Sequence, residues 1–238
     1  LAIMYGNGRG VKRNDAEAVR WYRKAADQGH PVAQGNLGIM YGNGRGAKRN
    51  DAEAARWFRK AADRGFAAAQ NNLGAMYDNG RGVKRDDVEA VRWFRKAADQ
   101  GYAAAQANLG IMYGNGRGVK QDDAEAARWF RKAAEQGDAT AQYNLGRMYS
   151  LGEGVAQDYP EAARWTRKAA DQGNVDAQTS LGIMYENGRG VNKNQAEAMH
   201  WFGKAAKQSN ANTQNTKKDA IRLSKPSAGP KQFELGLY

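Results

Sequence analysis

The sequence repeats itself with a period of 36 residues, and this period restricts the fold more than any other feature of the chain. A Leu–small–x–Met–Tyr segment begins at Leu1, Leu37, Leu73, Leu109, Leu145 and Leu181. Tryptophan recurs at the same interval, at Trp21, Trp57, Trp93, Trp129, Trp165 and Trp201. A unit of this length is too short to enclose a core of its own, so neighbouring units must bury their apolar faces against each other. The period therefore predicts a tandem array of stacked units.

Each unit is predicted to form two helices joined by a turn. In the second copy, Ala33, Leu37 and Tyr41 are four residues apart and place one apolar face on a helix. The other helix begins near Asn14 and Glu17, an Asn-x-x-Glu pair that is typical of a helix N-terminus and recurs in all six copies as Asn-x-x-Glu or Asp-x-x-Glu. No segment shows the alternating pattern of a strand. The predicted fold class is all-α, a right-handed α-solenoid (superhelix) of tandem 36-residue helix–turn–helix repeats.

The array is predicted to occupy residues 1–208, as six repeats that start at 1, 37, 73, 109, 145 and 181. The first repeat is truncated because the chain starts inside the pattern, and we expect the chain to be a fragment or a processed product. Ser209 replaces the glycine that ends the earlier units, and the composition then shifts to Ser, Asn, Thr and Lys. Residues 209–225 are therefore expected to form a degenerate capping helix, and residues 226–238 a flexible C-terminal tail.

A glycine-rich stretch, "GNGRGVKRNDAEA" from Gly6, lies between the two helices of each unit. It resembles a phosphate-binding loop, but such a loop follows a strand, whereas this one follows a helix and occurs six times. We interpret it as a structural joint in which glycine permits positive φ angles. The apolar residue after the second glycine, Val83 for example, is expected to pack into the core.

The composition leaves little material for catalysis or metal binding. The chain has no cysteine and only two histidines, His30 and His200, so a disulfide, a thiolate metal site or a Ser–His–acid set is not expected. No catalytic residue, cofactor or metal is predicted. No apolar run reaches the roughly 20 residues that span a bilayer, and no signal peptide is visible, so we expect a soluble chain.

The repeated pattern A-x-x-x-L-G-x-M-Y-x-x-G-x-G-V-x-x-D-x-x-E-A-x-x-W-x-x-K-A-A-x-x-G resembles the Sel-one-like repeat (SLR), a branch of the tetratricopeptide-like solenoids, over about residues 1–208. The resemblance implies a right-handed superhelix that serves as a protein-interaction scaffold. It also implies bacterial relatives, many of them exported to the periplasm or beyond, with roles in signalling, envelope assembly or host contact. A cysteine-rich secreted branch carries a β-lactamase label, which does not transfer to a chain without cysteine.

The first helices of such superhelices line the concave surface, where a partner protein or peptide would bind. One position there holds asparagine in four successive copies, Asn36, Asn72, Asn108 and Asn144. Asparagine is a poor helix former, and its amide both donates and accepts hydrogen bonds. A row of these amides could hold an extended peptide; the alternative is that they face water. Tyr143 and Arg147 depart from the other copies and mark either a local specificity site or drift between repeats.

The chain carries a formal net charge of +12, and residues 1–72 hold thirteen Lys and Arg against six Asp and Glu. Loop residues of three repeats are expected to align as a basic ribbon: Arg9, Lys12, Arg13, Arg45, Lys48, Arg49, Arg81, Lys84 and Arg85. Such a ribbon predicts an acidic protein partner, or, as the alternative function, binding of nucleic acid or another anionic polymer. The ordinary interpretation is an outer face of paired, solvated charges. We predict a monomer.

Overall fold

The computed structural model describes the backbone of residues 1–223 and the side chains of residues 1–209. Within these residues it contains twelve α-helices and no strand: α1 (Ala2–Asn7), α2 (Asp15–Asp27), α3 (Pro31–Asn43), α4 (Asp51–Asp63), α5 (Ala67–Asn79), α6 (Asp87–Asp99), α7 (Ala103–Gly114), α8 (Asp123–Glu135), α9 (Ala139–Leu151), α10 (Tyr159–Asp171), α11 (Val175–Asn187) and α12 (Gln195–Leu223). The predicted all-α repeat solenoid is confirmed. The described residues divide into two compact units, residues 1–100 with α1–α6 and residues 101–223 with α7–α12.

The even-numbered helices begin where the Asn-x-x-Glu and Asp-x-x-Glu pairs predict. At α2, the Asn14 side chain accepts hydrogen bonds from the backbone N–H groups of Ala16 and Glu17, both at 3.1 Å. The second half of a capping box does not form. The backbone N–H of Asn14 donates instead to the Tyr5 carbonyl at 2.9 Å. The Glu17 carboxylate is therefore left to pair with Arg20.

Most helices end at glycines in the left-handed conformation, as predicted. Gly44 follows α3 with φ 66°, and Gly65 follows the last turn of α4 with φ 85°. This region of φ and ψ is costly for residues with a side chain. The chain therefore turns back after each helix of about three and a half turns, and successive helices within a unit pack against each other.

The tryptophans fill the interior between successive repeats. In the first unit, Trp93 of α6 is 1% exposed and packs with Ala54 of α4 and Leu73 of α5. In the second unit, Trp201 packs with Ala162 of α10 and Leu181 of α11. Each of these tryptophans thus packs with the second helix of the preceding pair and the first helix of its own pair, which confirms that the core lies between neighbours. Val83, Val155 and Val191 of the joints also pack against these clusters, as predicted.

The glycine after each repeated leucine has a packing role. A Cβ atom at Gly74 of α5 would lie 2.7 Å from the ring of Phe94 in α6. Gly38 of α3 faces the Phe58 ring in the same way, at 2.8 Å. The missing side chain therefore lets the two helices of a pair approach closely enough to bury an aromatic ring.

The second glycine of each joint packs against the preceding repeat. Gly82 has φ 67°, and a Cβ there would lie 2.1 Å from the carbonyl oxygen of Asp51, the first residue of α4. Gly154 stands in the same way against Asp123, the first residue of α8, at 2.1 Å. The glycine-rich stretch is thus a joint between the two helices of a pair that also packs against the preceding repeat, and its glycines are explained by backbone conformation and close contact.

In each of the two compact units, a buried glutamine forms hydrogen bonds that connect three helices. The Nε2 atom of Gln70 in α5 donates to the Ala62 carbonyl of α4 at 3.1 Å. Its Oε1 atom accepts from Gln100, at the end of α6, at 2.7 Å. Gln142 in the second unit bonds in the same way to Ala134 and Gln172. These hydrogen bonds satisfy a polar group inside the core and connect successive helix pairs.

The last helix extends well beyond the end of the sixth repeat. α12 runs without a break from Gln195 to Leu223, so residues 209–223 continue the second helix of the pair. Position 209 is serine, whereas the earlier repeats have at this position a glycine that ends the helix. The signal that stops the earlier helices is therefore missing here. The capping role of residues 209–225 stays a prediction. The predicted tail, residues 226–238, lies outside the described residues.

Candidate partner-binding surface

The first helix of each pair has one side that the core does not use. In α3 the buried residues include Ala33, Leu37 and Met40, whereas Asn36 and Ile39 are half-buried. In each compact unit, we call the side of the first helices that carries these two positions the first-helix face: α3 and α5 in the first unit, and α7, α9 and α11 in the second. The positions equivalent to Asn36 and Ile39 recur every 36 residues because the repeats have no insertion.

The four predicted asparagines all lie on the first-helix face. Asn36, Asn72, Asn108 and Asn144 are half-buried, each in the same position of its helix. The Nδ2 atom of Asn144 donates to the Thr140 carbonyl one turn earlier, at 2.9 Å. That bond uses one of the two amide hydrogens. The amide groups are thus partly exposed, and that of Asn144 is oriented by its own helix.

Isoleucines stand one turn along from two of the asparagines, and the same position of the repeat holds isoleucine in two other copies. Ile39 and Ile111 are half-buried against the core clusters, while Ile3 is 55% exposed and Ile183 is 45% exposed. The face is therefore a mixture of amide and aliphatic groups. Such a mixture is suited to a polypeptide, which offers both backbone polar groups and apolar side chains.

The two residues that depart from the repeat, Tyr143 and Arg147, serve different contacts. Tyr143 is half-buried and packs against the cluster that contains Leu181 and Trp201. Arg147 is half-exposed and forms an ion pair with Glu153, with 3.5 Å between Nη1 and Oε2. Tyr143 thus contributes mainly to packing, whereas Arg147 presents a charged group on the first-helix face.

Five of the six arginines of the basic ribbon are paired with carboxylates. Arg45 has a side chain only 6% exposed, and its Nη2 atom donates to Asp15 at 2.8 Å and to the Gly6 carbonyl at 3.3 Å. Arg81 contacts Asp51 and the Gly42 carbonyl in the same way. The shorter-range pairs are Arg13 with Asp15, Arg49 with Asp51 and Arg85 with Asp87. Arg9, Lys12, Lys48 and Lys84 are exposed. Much of the ribbon's charge is therefore neutralised within the joints.

Basic residues on the second helices lie over aromatic rings. The Lys60 Nζ atom is 4.3 Å from the ring centroid of Trp57, and Lys96 is 4.4 Å from that of Trp93. Arg59 lies over Tyr77 at 5.5 Å. These cations shield buried rings and gain cation–π attraction. They contribute to packing as well as to surface charge.

The carboxylate of Asp51 should make stability depend on pH. Hydrogen bonds from Arg49 and then Arg81 hold the pKa of Asp51 below its ordinary value, against a smaller opposing effect of burial. A carboxyl whose pKa is lower in the folded state stabilises the fold above its unfolded pKa, near 4, and this contribution is lost as the pH falls through the folded pKa. We expect Asp51→Asn to lower the free energy of unfolding by about 1 kcal/mol at pH 7.

The measurement is urea unfolding of the wild type and Asp51→Asn between pH 7 and pH 2. The difference should shrink as the pH falls below about 4, where Asp51 of the unfolded chain becomes protonated, and should vanish once the pH lies below the lower pKa of the folded state. Asp63→Asn, at an exposed position in the last turn of α4, is the matched control. A difference that stays constant down to pH 2 would show that the ion pairs do not contribute.

A family model of the Sel1 repeat matches the chain six times, at residues 1–30, 31–66, 67–102, 103–138, 139–174 and 175–210. The chain belongs to the Sel1 repeat family. Each of the first five matches holds one helix pair, and the sixth holds α11 and the beginning of α12. The resemblance identified from the sequence is confirmed. No curated protein matches the chain.

Solved structures of bacterial proteins resemble the chain closely. A protective antigen of uropathogenic Escherichia coli that displays an SLR fold is 44% identical over 90% of this chain, with a TM-score of 0.80; this chain spans 46% of that protein. A Sel1 repeat protein from Oxalobacter formigenes is 43% identical, covers 87% of this chain and 84% of its own, and has a TM-score of 0.81. An immunity protein from Pseudomonas aeruginosa is 27% identical over 81% of this chain and 73% of its own, with a TM-score of 0.57.

Sel1 repeat proteins are generally protein-interaction scaffolds, and the repeat is generally a non-catalytic fold. Within the described residues, no group of three or more His, Asp or Glu side chains is placed to hold a metal ion. None of the described helices combines the length and the apolar character needed to cross a membrane.

Proposed function

We propose that this Sel1 repeat protein is a non-catalytic scaffold that binds a partner protein or peptide on the first-helix face, which would be the concave side of its superhelix. The observation that carries the proposal is the recurrence of a half-buried asparagine on four successive first helices, with an isoleucine one turn along in two of them. Asn36 with Ile39 in α3 is one instance, and Asn108 with Ile111 in α7 is another. The core buries neither position fully, so each presents part of its side chain to solvent.

The spacing of the repeats suits an extended peptide. Packed helices lie about 8–10 Å apart, and an extended chain advances about 3.3 Å per residue. Each first helix would therefore face about three residues of the ligand. An asparagine amide can donate to one peptide carbonyl and accept from a peptide N–H. The isoleucines would contact apolar side chains of the same segment.

The charges favour a protein over nucleic acid as the ligand. Nucleic-acid binding would need a continuous row of cations free to contact phosphates, but Arg45, Arg49 and Arg81 are bonded to aspartates of the joints. The exposed lysines, Lys48 and Lys84 among them, remain available to an acidic partner. Binding of an anionic polymer through the basic ribbon is the competing function that the experiment must separate.

The test compares two double variants of equal size in the first unit. Asn36→Ala/Asn72→Ala removes two amides from the first-helix face, and Lys48→Ala/Lys84→Ala removes two cations from the ribbon. The wild type is used to capture a partner from a cell extract, and the captured protein is purified and titrated against all three forms. We expect the asparagine variant to bind about tenfold more weakly, since each lost hydrogen bond contributes about 0.5–1.5 kcal/mol.

The lysine variant should bind that partner within about threefold of the wild type. If instead the lysine variant loses binding and the asparagine variant keeps it, the ligand uses the ribbon. Titration of RNA and DNA at several salt concentrations then follows, because phosphate contacts give a steep loss of affinity with salt. Unchanged binding by the asparagine variant would contradict the proposed face.

A further inference from the structure

A guanidinium site is built into the joints of the first unit. The side chain of Arg45 reaches back across the joint and donates to the Asp15 carboxylate at 2.8 Å and to the Gly6 carbonyl at 3.3 Å. Arg81 repeats the arrangement one repeat later, with Asp51 and the Gly42 carbonyl as its acceptors. Two acceptors, a carboxylate at the start of a second helix and a carbonyl near the end of a first helix, thus bind one guanidinium.

The joint between α9 and α10 in the second unit has the same backbone and a different side chain. Gly154 approaches the Asp123 carbonyl as closely as Gly82 approaches that of Asp51. The N–H of Glu153 donates to the Met148 carbonyl at 3.1 Å, as that of Arg45 donates to Met40 at 2.9 Å. Glu153 therefore occupies the position of Arg45 and Arg81. The register is unchanged, but the guanidinium is replaced by a carboxylate.

In the first unit, Asp51 also pairs with a second arginine, Arg49, and this arginine is replaced at Asp123 as well. Arg49 donates to Asp51 through its guanidinium, whereas the corresponding Gln121 donates to Asp123 through a neutral amide at 3.3 Å. No arginine among the described residues forms an ion pair with Asp123. Asp123 thus keeps its position at the start of α8 without the cations that accompany Asp51.

An open pocket lies beside Asp123 and Glu153. Its volume is about 480 Å³, and its lining includes Gly114, Asp123, Asn144, Arg147 and Glu153. Gly114 is the counterpart of Gly6 and Gly42, whose carbonyls accept from Arg45 and Arg81. Arg147 pairs with Glu153 at 3.5 Å. Two carboxylates and one guanidinium give the pocket a net negative charge, so a second cation would complete the balance.

We propose that this pocket binds the guanidinium group of an arginine side chain on a partner protein. The partner's arginine takes the position that Arg45 and Arg81 take in the first unit and bonds to Asp123 and the Gly114 carbonyl. A planar guanidinium with several N–H groups fits two separate acceptors better than the point charge of a lysine. The inference rests on the proposed scaffold function and specifies the chemistry that one repeat recognises.

The first test uses a blocked pentapeptide, Gly-Gly-Arg-Gly-Gly, and the same peptide with citrulline, which keeps the shape of arginine and lacks its charge. Each is titrated into ¹⁵N-labelled protein, and amide chemical shifts are followed by NMR. We expect saturable shifts at Gly114, Asp123 and Glu153 with the arginine peptide and at least tenfold weaker binding of the citrulline peptide. Equal binding of the two peptides, or no saturable shift at these residues, would overturn the proposal.

Two variants connect the binding to the site. Glu153→Arg restores the internal guanidinium, so the arginine peptide should bind at least tenfold more weakly, and the thermal midpoint should stay the same or rise. Asp123→Asn removes the carboxylate without adding a side chain that fills the pocket, and should weaken binding to the same extent. Glu186→Arg, at an exposed position of α11, makes the same change in net charge and should have no effect. Retained binding in both site variants, or equal loss in the Glu186 control, would sink the proposal.

The result can be separated from that of the scaffold test. Glu153→Arg is added to the titration of the captured partner alongside the asparagine variant. If the asparagine variant loses the partner and Glu153→Arg keeps it, the first-helix face is correct and the arginine site is not. If both keep it, the face itself is wrong.

Discussion

Gly82→Ala is expected to lower the free energy of unfolding by about 3–5 kcal/mol, although it adds a single methyl group. The residue has φ 67°, which costs a residue with a side chain about 1–2 kcal/mol. The new Cβ would also lie 2.1 Å from the Asp51 carbonyl oxygen. Because both groups belong to backbones held by their own helices, the clash can be relieved only by moving one repeat away from the next. Urea unfolding followed by circular dichroism measures the loss.

Gly65→Ala is the matched control for this substitution. Gly65 has φ 85°, and nothing lies within 4 Å of a Cβ added there. It should therefore show the backbone cost alone, about 1–2 kcal/mol. Equal losses for the two substitutions would mean that the close approach at Gly82 does not hold the repeats together.

Trp93→Ala is expected to cost about 3–5 kcal/mol, the range for removing a large aromatic side chain from a core. Trp93 is 1% exposed and lies among side chains of α4 and α5, so its removal leaves a cavity between two helix pairs. The loss of Lys96 contact over the ring adds to the effect. The measurement is urea unfolding at pH 7, with the slope checked for loss of cooperativity.

Trp21→Ala provides the comparison within the same unit. Trp21 is half-buried, so the same change removes fewer contacts and should cost about 1–2 kcal/mol. If Trp93→Ala cost less than about 1 kcal/mol, the ring would not be the packing element between the repeats.

Much of the fold could be predicted because the sequence states each local signal six times. The caps at Asn14 and its counterparts, the left-handed glycines and the buried tryptophans depend on short-range patterns. What could not be predicted depends on partners far along the chain. The space that Gly74 leaves for Phe94 and the bond from Arg45 to Asp15 join residues 20 and 30 positions apart. The bond from Asn14 to the Tyr5 carbonyl, which displaces the capping box, is of the same kind.

The candidate site was predicted in part. The repeated asparagine identified a position on the first-helix face, since its period matches that of the helices. The state of the basic ribbon was harder to predict. The sequence shows that Arg45 and Arg81 are charged, but it does not show which aspartates, 30 residues away, form ion pairs with them. The pocket at Asp123 had a visible signal, the loop "SLGEGVAQDYP" without the usual Arg and Lys. The change at Asp123 could be interpreted only by comparison with the joints in which Arg45 and Arg81 bind an aspartate.

Amide hydrogen exchange of Gly82→Ala beside Gly65→Ala tests most directly whether each repeat is stabilised by the next. In Gly82→Ala, protection should fall in both repeats that meet at Gly82 and Asp51, in α3 and α4 of one repeat and in α5 and α6 of the following one. Gly65→Ala should show a smaller and more local loss. If the loss in Gly82→Ala were confined to the substituted loop, residues 80–86, the repeats would be stable independently of each other, and the stacked interior would not be the source of their stability.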